Sequence, residues 1–446
     1  QRGSPDRKFG PNYTLVYTES FLNQKVGVLA SLSHSFLYNE QMLMTNTYSG
    51  SAATDPVNPR PWVTRVIDFK DGPRWDTKDN ILLTADWKVT PRLVLSLNMM
   101  YTAASFEFWN RNFTFTAAND NNNIANGRPS IRGDGITTVA VDRTATANVA
   151  NLTNGGGTSD KTTYSRQYSP KFEYRLGSLI VDGGMAFSKS VNNYESLERG
   201  FSNSEGGAVN AGFTATRPSP NSWEWTIRQT SGPDFFDLRN FTSTDVRAGG
   251  TRVSNDDRTW TTQKWTGTLN AKFAPRASIF QRFPTLVTFG SKWDEESRDN
   301  NDHSAVNIWS YTGPGGNTTR VNPTTGANEN VTFGNWLNLG PQFQATNVFE
   351  LGKTNALTLF NLSGQQGMAP RVSRSHVSDL FHARPDLFTY TGTPENYYTA
   401  YIANKRDFRQ TVSAGYGQGD VKLTSKLRVL FGVRYEETRS QVKAFD

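Results

Sequence analysis

The chain has no cysteine. That excludes a disulfide scaffold, a thiolate zinc site, an iron–sulfur cluster and a cysteine nucleophile. It also fits export to an oxidising compartment without thiols. Apolar residues are scarce, at 36% of 446, and mean hydropathy is −0.59. No run approaches the ~18 consecutive apolar residues of a membrane-spanning helix. A membrane β-barrel stays open, because its signal is far weaker per segment. Long basic runs are missing too. The net charge of +7 comes from 47 basic and 40 acidic residues that are scattered along the chain, so no stripe forms to track phosphates and no nucleic-acid partner is expected. The first residue is Gln, and no charged stretch followed by an apolar one marks a signal peptide. The chain reads as processed at its start or as an internal piece.

What the chain has is aromatics: 28 Phe, 16 Tyr and 11 Trp, a third of its apolar content. It also has period two. Leu427, Val429, Phe431, Val433 and Tyr435 alternate with Arg428, Leu430, Gly432, Arg434 and Glu436, which is a strand with one apolar and one mainly polar face. Residues 164–175, 264–273 and 80–89 repeat the pattern, and 25–37, 92–101, 178–188 and 285–293 do so less cleanly. Tyr13, Leu15 and Tyr17 mark an earlier strand; Val412, Ala414 and Tyr416 mark a later one. About ten strands of roughly nine to fifteen residues result, longer than the usual five or six and matching the 9–11 that cross a bilayer when tilted.

The connections alternate. Short turns fall near Phe21–Lys25, Val89–Arg92, Arg175–Ser178 and Leu423–Lys426, with a longer one at Ala274–Pro284. Between them lie Asn-, Gly- and Thr-rich segments at 42–61, 109–160, 196–257 and 299–406. Loops of that length argue against a compact soluble domain, and the asymmetry is that of an outer-membrane barrel. Charges deep in the strands, at Asp86, Lys171, Asp182, Lys272 and Arg428, suit a wet or plugged lumen. Aromatics cluster near strand ends on the other face. The reading is all-β: an antiparallel transmembrane β-barrel segment with short turns on one side and long loops on the other. A soluble sandwich, which also alternates, is the competing architecture. One short helix is expected at Ser375–Ala383, with Ser375 as its N-cap.

No catalytic set emerges, so no enzyme, metal site or cofactor is expected. His34, His303, His376 and His382 lack ligand spacing. Asn119–Asn123 lacks the spaced carboxylates of a calcium loop. Gly155–Gly157 lacks a phosphate-loop Lys and helix. Arg132-Gly133-Asp134 reads as a chance tripeptide. Glu295 and Glu296 point to opposite faces if they lie in a strand. The candidate ligand contacts are aromatics in the long segments: Trp223, Trp225, Trp309 and Trp336, with Trp223 and Trp225 on one side if extended. Tyr311, Tyr397, Tyr398 and Tyr401 lie in the same loops.

The stretch Phe408–Leu423, a tight turn, and then Leu427–Thr438 with Gly432-Val-Arg-Tyr-Glu-Glu-Thr438 resemble a hairpin of TonB-dependent outer-membrane receptors. Trp223–Asn240 and Val377–Phe388 resemble loop pieces of large members. The resemblance implies a bacterial outer-membrane location, lipid around the barrel, and coupling to TonB through an N-terminal region. It also implies uptake of a siderophore, vitamin, haem or oligosaccharide. Neither plug nor TonB box is recognisable, and ten strands are fewer than the family uses, so residues 1–446 read as a partial barrel lacking plug and terminal strands. An exported all-β binding or adhesion protein using its aromatic, Asn-rich loops is the alternative, and a diffusion porin comes third.

Overall fold

The structure, a computed structural model, describes residues 9–49, 63–117, 133–141, 152–196, 207–234, 240, 242–243, 252–275, 283–311, 319–321, 328–330, 344–345, 360–362, 371–372 and 374–444. It is mostly antiparallel β-sheet. Ten long strands pair in chain order: β1 (Tyr13–Phe21), β2 (Val26–Ser49), β3 (Val63–Thr90), β4 (Leu93–Thr116), β5 (Leu152–Leu176), β6 (Leu179–Glu195), β7 (Asp257–Phe273), β8 (Thr285–Asp302), β9 (Arg406–Lys422) and β10 (Arg428–Ala444). All ten correspond to stretches of period-two alternation. Within this path β1 and β10 pair on one side only, so the sheet is open.

The short turns fall where expected. Leu22, Asn23 and Gln24 adopt positive φ and reverse the chain between β1 and β2, and Gly177 (φ 60°) does so between β5 and β6, the left-handed conformation that tight hairpins need. Several strands are much longer than their alternation. β2, β3, β4 and β5 have 24, 28, 24 and 25 residues, and parts of the 42–61 and 109–160 segments are strand rather than loop. Period two cannot register them, because from Asp68 to Lys78 one face is polar and the other breaks its apolar residues Phe69 and Trp75 with Asp71 and Pro73, while the ladder continues.

Registers join the alternating faces into two continuous surfaces, since directly paired residues share a face. Leu15 pairs with Leu32, Leu32 with Ile81, and Ile81 with Tyr101. Leu95 pairs with Phe172, and Leu269 with Gly183 and Ser291. This apolar face is open. Leu269 is 51% exposed, Phe289 58% and Val433 76%. Ser169, Asp294 and Ala414 are buried and lie on the opposite, polar face. The apolar side of the sheet is bare, whereas some positions of the polar side are shielded. A soluble sandwich buries the apolar side instead. On β9, pairing puts Val412, Ala414 and Tyr416 with Asp294, Lys292 and Gly290 on the polar face, and Ser413, Gly415, Gly417 and Gly419 on the apolar one.

The apolar face is a belt with an upper rim toward the long loops. Tyr101, Phe187, Trp265, Trp293 and Tyr435 mark that rim. Beyond them the same parity turns charged, with Asp79, Lys189, Glu295, Arg409, Glu437 and Arg439, and apolar residues of the same parity return farther along, at Phe36, Tyr38, Trp75 and Val191. His34 Nδ1 meets Asp79 at 2.7 Å, and Arg409 donates to Glu295 at 2.7 Å. Tyr168, Phe187 and Trp265 form an aromatic row across three strands, with centroids 6.4 and 4.4 Å apart. Traced along the hydrogen-bonded pairs, the rim steps down by two residues from Tyr101 to Phe187, again to Trp293, and again to Tyr435. A rim oblique to the pairing direction means that the strands are tilted relative to the belt.

The polar face is knitted laterally. The Tyr416 ring lies across Gly290, where a Cβ would collide with it. Its hydroxyl reaches Asn270 Oδ1 at 3.1 Å, Asn270 Nδ2 donates to Asp182 at 2.8 Å, and Lys272 Nζ lies 3.6 Å from Asp182. One chain of contacts thus ties β9 to β6 across two intervening strands. Of the charges expected deep in the strands, Lys272 and Asp182 pair with each other, Arg428 at the start of β10 pairs with Asp420, and Asp86 accepts from Ser96 at 2.5 Å.

The dry core lies at the long-loop end, not behind the belt. Ile67, Phe69, Phe113 and Phe115, where apolar residues return at the strand tips, pack with Val139, Val141, Phe213, Ala215, Trp225, Ile227, Tyr311 and Phe388. Two small sheets carry these residues. Thr138–Val141, Gly212–Thr216, Trp225–Ser231 and Phe360–Leu362 form one; Arg252–Ser254, Ile308–Tyr311 and Phe388–Tyr390 form the other. The predicted helix is present as α1 (Arg374–Ala383). It begins one residue earlier than expected, so Ser375 lies inside its first turn and is not the N-cap. Among the described residues no helix is long and apolar enough to cross a membrane.

Candidate ligand-binding surface

Trp225 opens the strand Trp225–Ser231, whose residues alternate buried and exposed over Trp225–Arg228. Trp225 is 1% exposed. Its Nε1 donates to Asn46 Oδ1 at 3.2 Å, and the Arg217 guanidinium covers the ring at 4.7 Å from the centroid. Arg217 is itself buried and donates to the carbonyls of Ile136 (2.7 Å) and Ser222 (3.2 Å). Trp225 is therefore enclosed by protein on all sides and holds the loop assembly onto the strand tips. Trp223 is 56% exposed. Residues 222–224 are not strand, so the two tryptophans do not share a side as extended geometry would require. Trp336 lies outside the described residues, as do Asn119–Asn123 and Arg132.

Asp134 has a structural task. Its carboxylate accepts from the backbone N–H groups of Ile136, Thr137 and Thr138 at 2.9, 2.7 and 2.7 Å and from the Thr137 hydroxyl. Burial opposes ionisation, but these four donors outweigh it and hold the pKa at about 2. A depressed carboxylate contributes stability that is complete above its ordinary pKa and is lost as pH falls through the folded value. Acidification from pH 5 to 2 is expected to loosen the segment around Thr138–Val141 by on the order of 1–2 kcal/mol, after discounting for partial exposure. Asp134→Asn should remove most of that pH dependence, as read by proteolysis of the loop region. Glu295 and Glu296 do point to opposite faces; they bind Arg409 and Arg298 respectively.

Trp309 and the loop tyrosines come together. Trp309, half-buried in Ile308–Tyr311, packs edge-on against Phe381 of α1 (5.2 Å) and Tyr390 (6.3 Å). Beyond Tyr390 the chain forms α2 (Pro394–Tyr398). Thr393 caps it: its hydroxyl accepts from Asn396 N at 3.2 Å, and Asn396 Oδ1 accepts from Thr393 N at 2.9 Å. Pro394 supplies the helical φ at the first position. A π turn, Thr399–Ala403, follows and buries Ala400. This places Tyr397 and Tyr401 in a parallel stack, with centroids 5.9 Å apart and planes 14° apart. The His303 ring lies 4.5 Å from Tyr401, and its Nδ1 is 3.9 Å from Asp257.

Tyr390, Tyr397, Tyr398 and Tyr401 are 41–50% exposed. The Tyr390 ring edge is bare, yet its hydroxyl turns inward over Gly392. Burial of that hydroxyl first, then its hydrogen bond with Tyr397 and the nearby Tyr397 and Tyr401 phenols, push its pKa up to about 12. The Tyr390 phenol is thus neutral at physiological pH. Two arginines at the long-loop end are engaged by carboxylates. Arg258 binds Asp256 through two 2.6 Å contacts beneath Tyr194, and Arg384 binds Asp386 at 2.8 and 2.6 Å. The outcome is a cluster of exposed aromatic rings bearing hydroxyls, on a segment whose acidic and basic residues (Glu395, Asp407, Lys405, Arg406) balance.

Comparison with protein-family models, curated proteins and solved structures finds no match.

Sequence reasoning placed Trp309, Tyr397, Tyr398 and Tyr401 in loops but did not join them, and it missed Tyr390 and His303 as their neighbours. The signal for α2 was available: Thr393-Pro394 followed by a polar residue at the third helical position is a helix start. Among the described residues no group of three or more His, Asp or Glu could hold a metal ion.

Proposed function

We propose that this chain is barrel wall and outer loops of a TonB-coupled outer-membrane importer that takes up a scarce nutrient. The observation that carries the reading is the exposed apolar belt with its aromatic, oblique rim. A bare apolar band of this extent is a liability in water and a requirement in lipid, where tilted strands, aromatic girdles and an apolar-to-charged boundary occur together. The lateral polar network suits a lumen. In a bilayer the free edges of β1 and β10 need partner strands, and further strands of the same protein are the proposed partners, as the hairpin's resemblance to TonB-dependent receptors implies. The 22-stranded transporters enclose a plugged lumen. Importation, TonB coupling and the outer-membrane address rest on that resemblance together with the belt.

The test is topological and energetic. In bacteria carrying the parent protein, a tag inserted after Gly392 is expected to be labelled on intact cells. A tag in the turn Leu423–Lys426 should be labelled only after permeabilisation, and a protonophore should abolish accumulation of the nutrient. Release of the protein into the medium, with both tags equally accessible, would establish the binding or adhesion reading instead. Equilibration unaffected by the protonophore would establish a porin.

A further inference from the structure

We propose that the Tyr397–Tyr401 face is a binding site for a neutral oligosaccharide. This rests on the importer reading and selects among the nutrient classes it leaves open.

Geometry comes first. The two stacked rings are each about half exposed, and Tyr390 and Tyr398 of the same segment are exposed as well, so ring faces and edges are open to a ligand. Pyranose rings carry flat faces of C–H groups that pack on aromatic planes, and their edges carry hydroxyls that need partners. Tyrosine supplies both, an apolar body and a polar tip. Here the phenols are gathered, since the Tyr390 hydroxyl bonds to Tyr397 and His303 flanks Tyr401.

Rigidity comes second. The capping box at Thr393, Pro394 at the helix start and buried Ala400 fix the segment before any ligand arrives. Little conformational entropy is then lost on binding.

Charge comes third and narrows the class. Ferric siderophores and haem are anionic in most forms and call for unpaired Arg or Lys. Of the cations at the long-loop end, Arg258 and Arg384 are bound to Asp256 and Asp386, His303 faces Asp257, and Lys405 and Arg406 at the end of the tyrosine segment are matched in number by its Glu395 and Asp407. The surface offers hydrogen bonds and ring faces without net charge, which matches a polyhydroxylated neutral ligand.

The full chain, folded in detergent, would be probed with an array of neutral di- to hexasaccharides of gluco, manno, xylo and galacto configuration, with ferric citrate and haem as anionic probes. At least one neutral glycan is expected to bind. Tyr397→Ala and Tyr401→Ala should each weaken it by about tenfold, Tyr401→Phe should lose less, and Trp223→Ala should change nothing. No neutral glycan bound, retained affinity in both alanine variants, or displacement of the glycan by ferric citrate would overturn the proposal. Insertion into lipid vesicles is read separately. A chain that inserts but binds no glycan defeats this inference alone; one that binds glycan but never inserts defeats the importer reading.

Discussion

Leu269→Arg is expected to be among the most damaging single changes in the sheet. Leu269 lies midway along Trp265–Phe273, the apolar run of β7, paired with Gly183 on one side and Ser291 on the other. Neither neighbour offers a counter-charge, and the Leu269 side chain is half exposed on the belt. A guanidinium at the middle of an apolar band against lipid costs about 2–4 kcal/mol, and less near the rims. The folded fraction recovered in lipid vesicles, followed by heat-modifiable mobility and by urea titration, should fall accordingly. Thr268→Arg, one residue away on the polar face, should stay within about 1 kcal/mol of the parent chain. Equal damage at both positions would mean that the two faces are not distinguished by their surroundings.

Trp225→Ala is expected to cost about 3–5 kcal/mol, the usual penalty for emptying a large core site, but to spend it locally. The ring is enclosed by the loop core, and its removal also strips Arg217 of its aromatic cover and leaves Asn46 without its indole donor. The small sheet around Gly212–Thr216 should open while the long strands persist, because local units unfold independently of the ladder. Trypsin should then cut after Arg228 in Trp225→Ala and spare that site in Trp223→Ala. If both variants resist equally, Trp225 does not hold the loops to the strand tips.

The ten long strands were legible because period two survives wherever one face is apolar. Leu93–Tyr101 and Trp265–Phe273 announce themselves. The strand beyond Asp79 does not, because only Trp75 and Phe69 interrupt a mostly polar stretch, which is held by backbone pairing and by the packing of those two rings. β9 misleads for a different reason. Its apolar residues, Val412, Ala414 and Tyr416, belong to the polar side, and its glycines sit on the belt under Phe289 and Phe431. Composition cannot show that rings from adjacent strands cover a glycine; only register can. In the loops the sequence marked aromatic residues without their partners. Trp225 and Trp223 are two positions apart and have opposite fates, decided by contacts with Asn46, 179 residues upstream, and with Arg217, which no local pattern marks. The tyrosine surface depends on bringing His303 to Tyr401 across about a hundred residues, a separation that no local pattern spans.

The central claim is that one face of this sheet meets lipid and the other meets water, and the absence of native cysteine makes it directly measurable. Single cysteines placed in turn from 264 to 273 in the full chain, spin-labelled and reconstituted in lipid vesicles, report contact with oxygen in the bilayer or with a water-soluble nickel chelate. The expected record alternates residue by residue. Positions 265, 267, 269, 271 and 273 should be relaxed by oxygen, with the strongest effect at 269; positions 264, 266, 268, 270 and 272 should favour the chelate. A reversed phase, or a record in which neither set responds to oxygen, would contradict a lipid-facing belt.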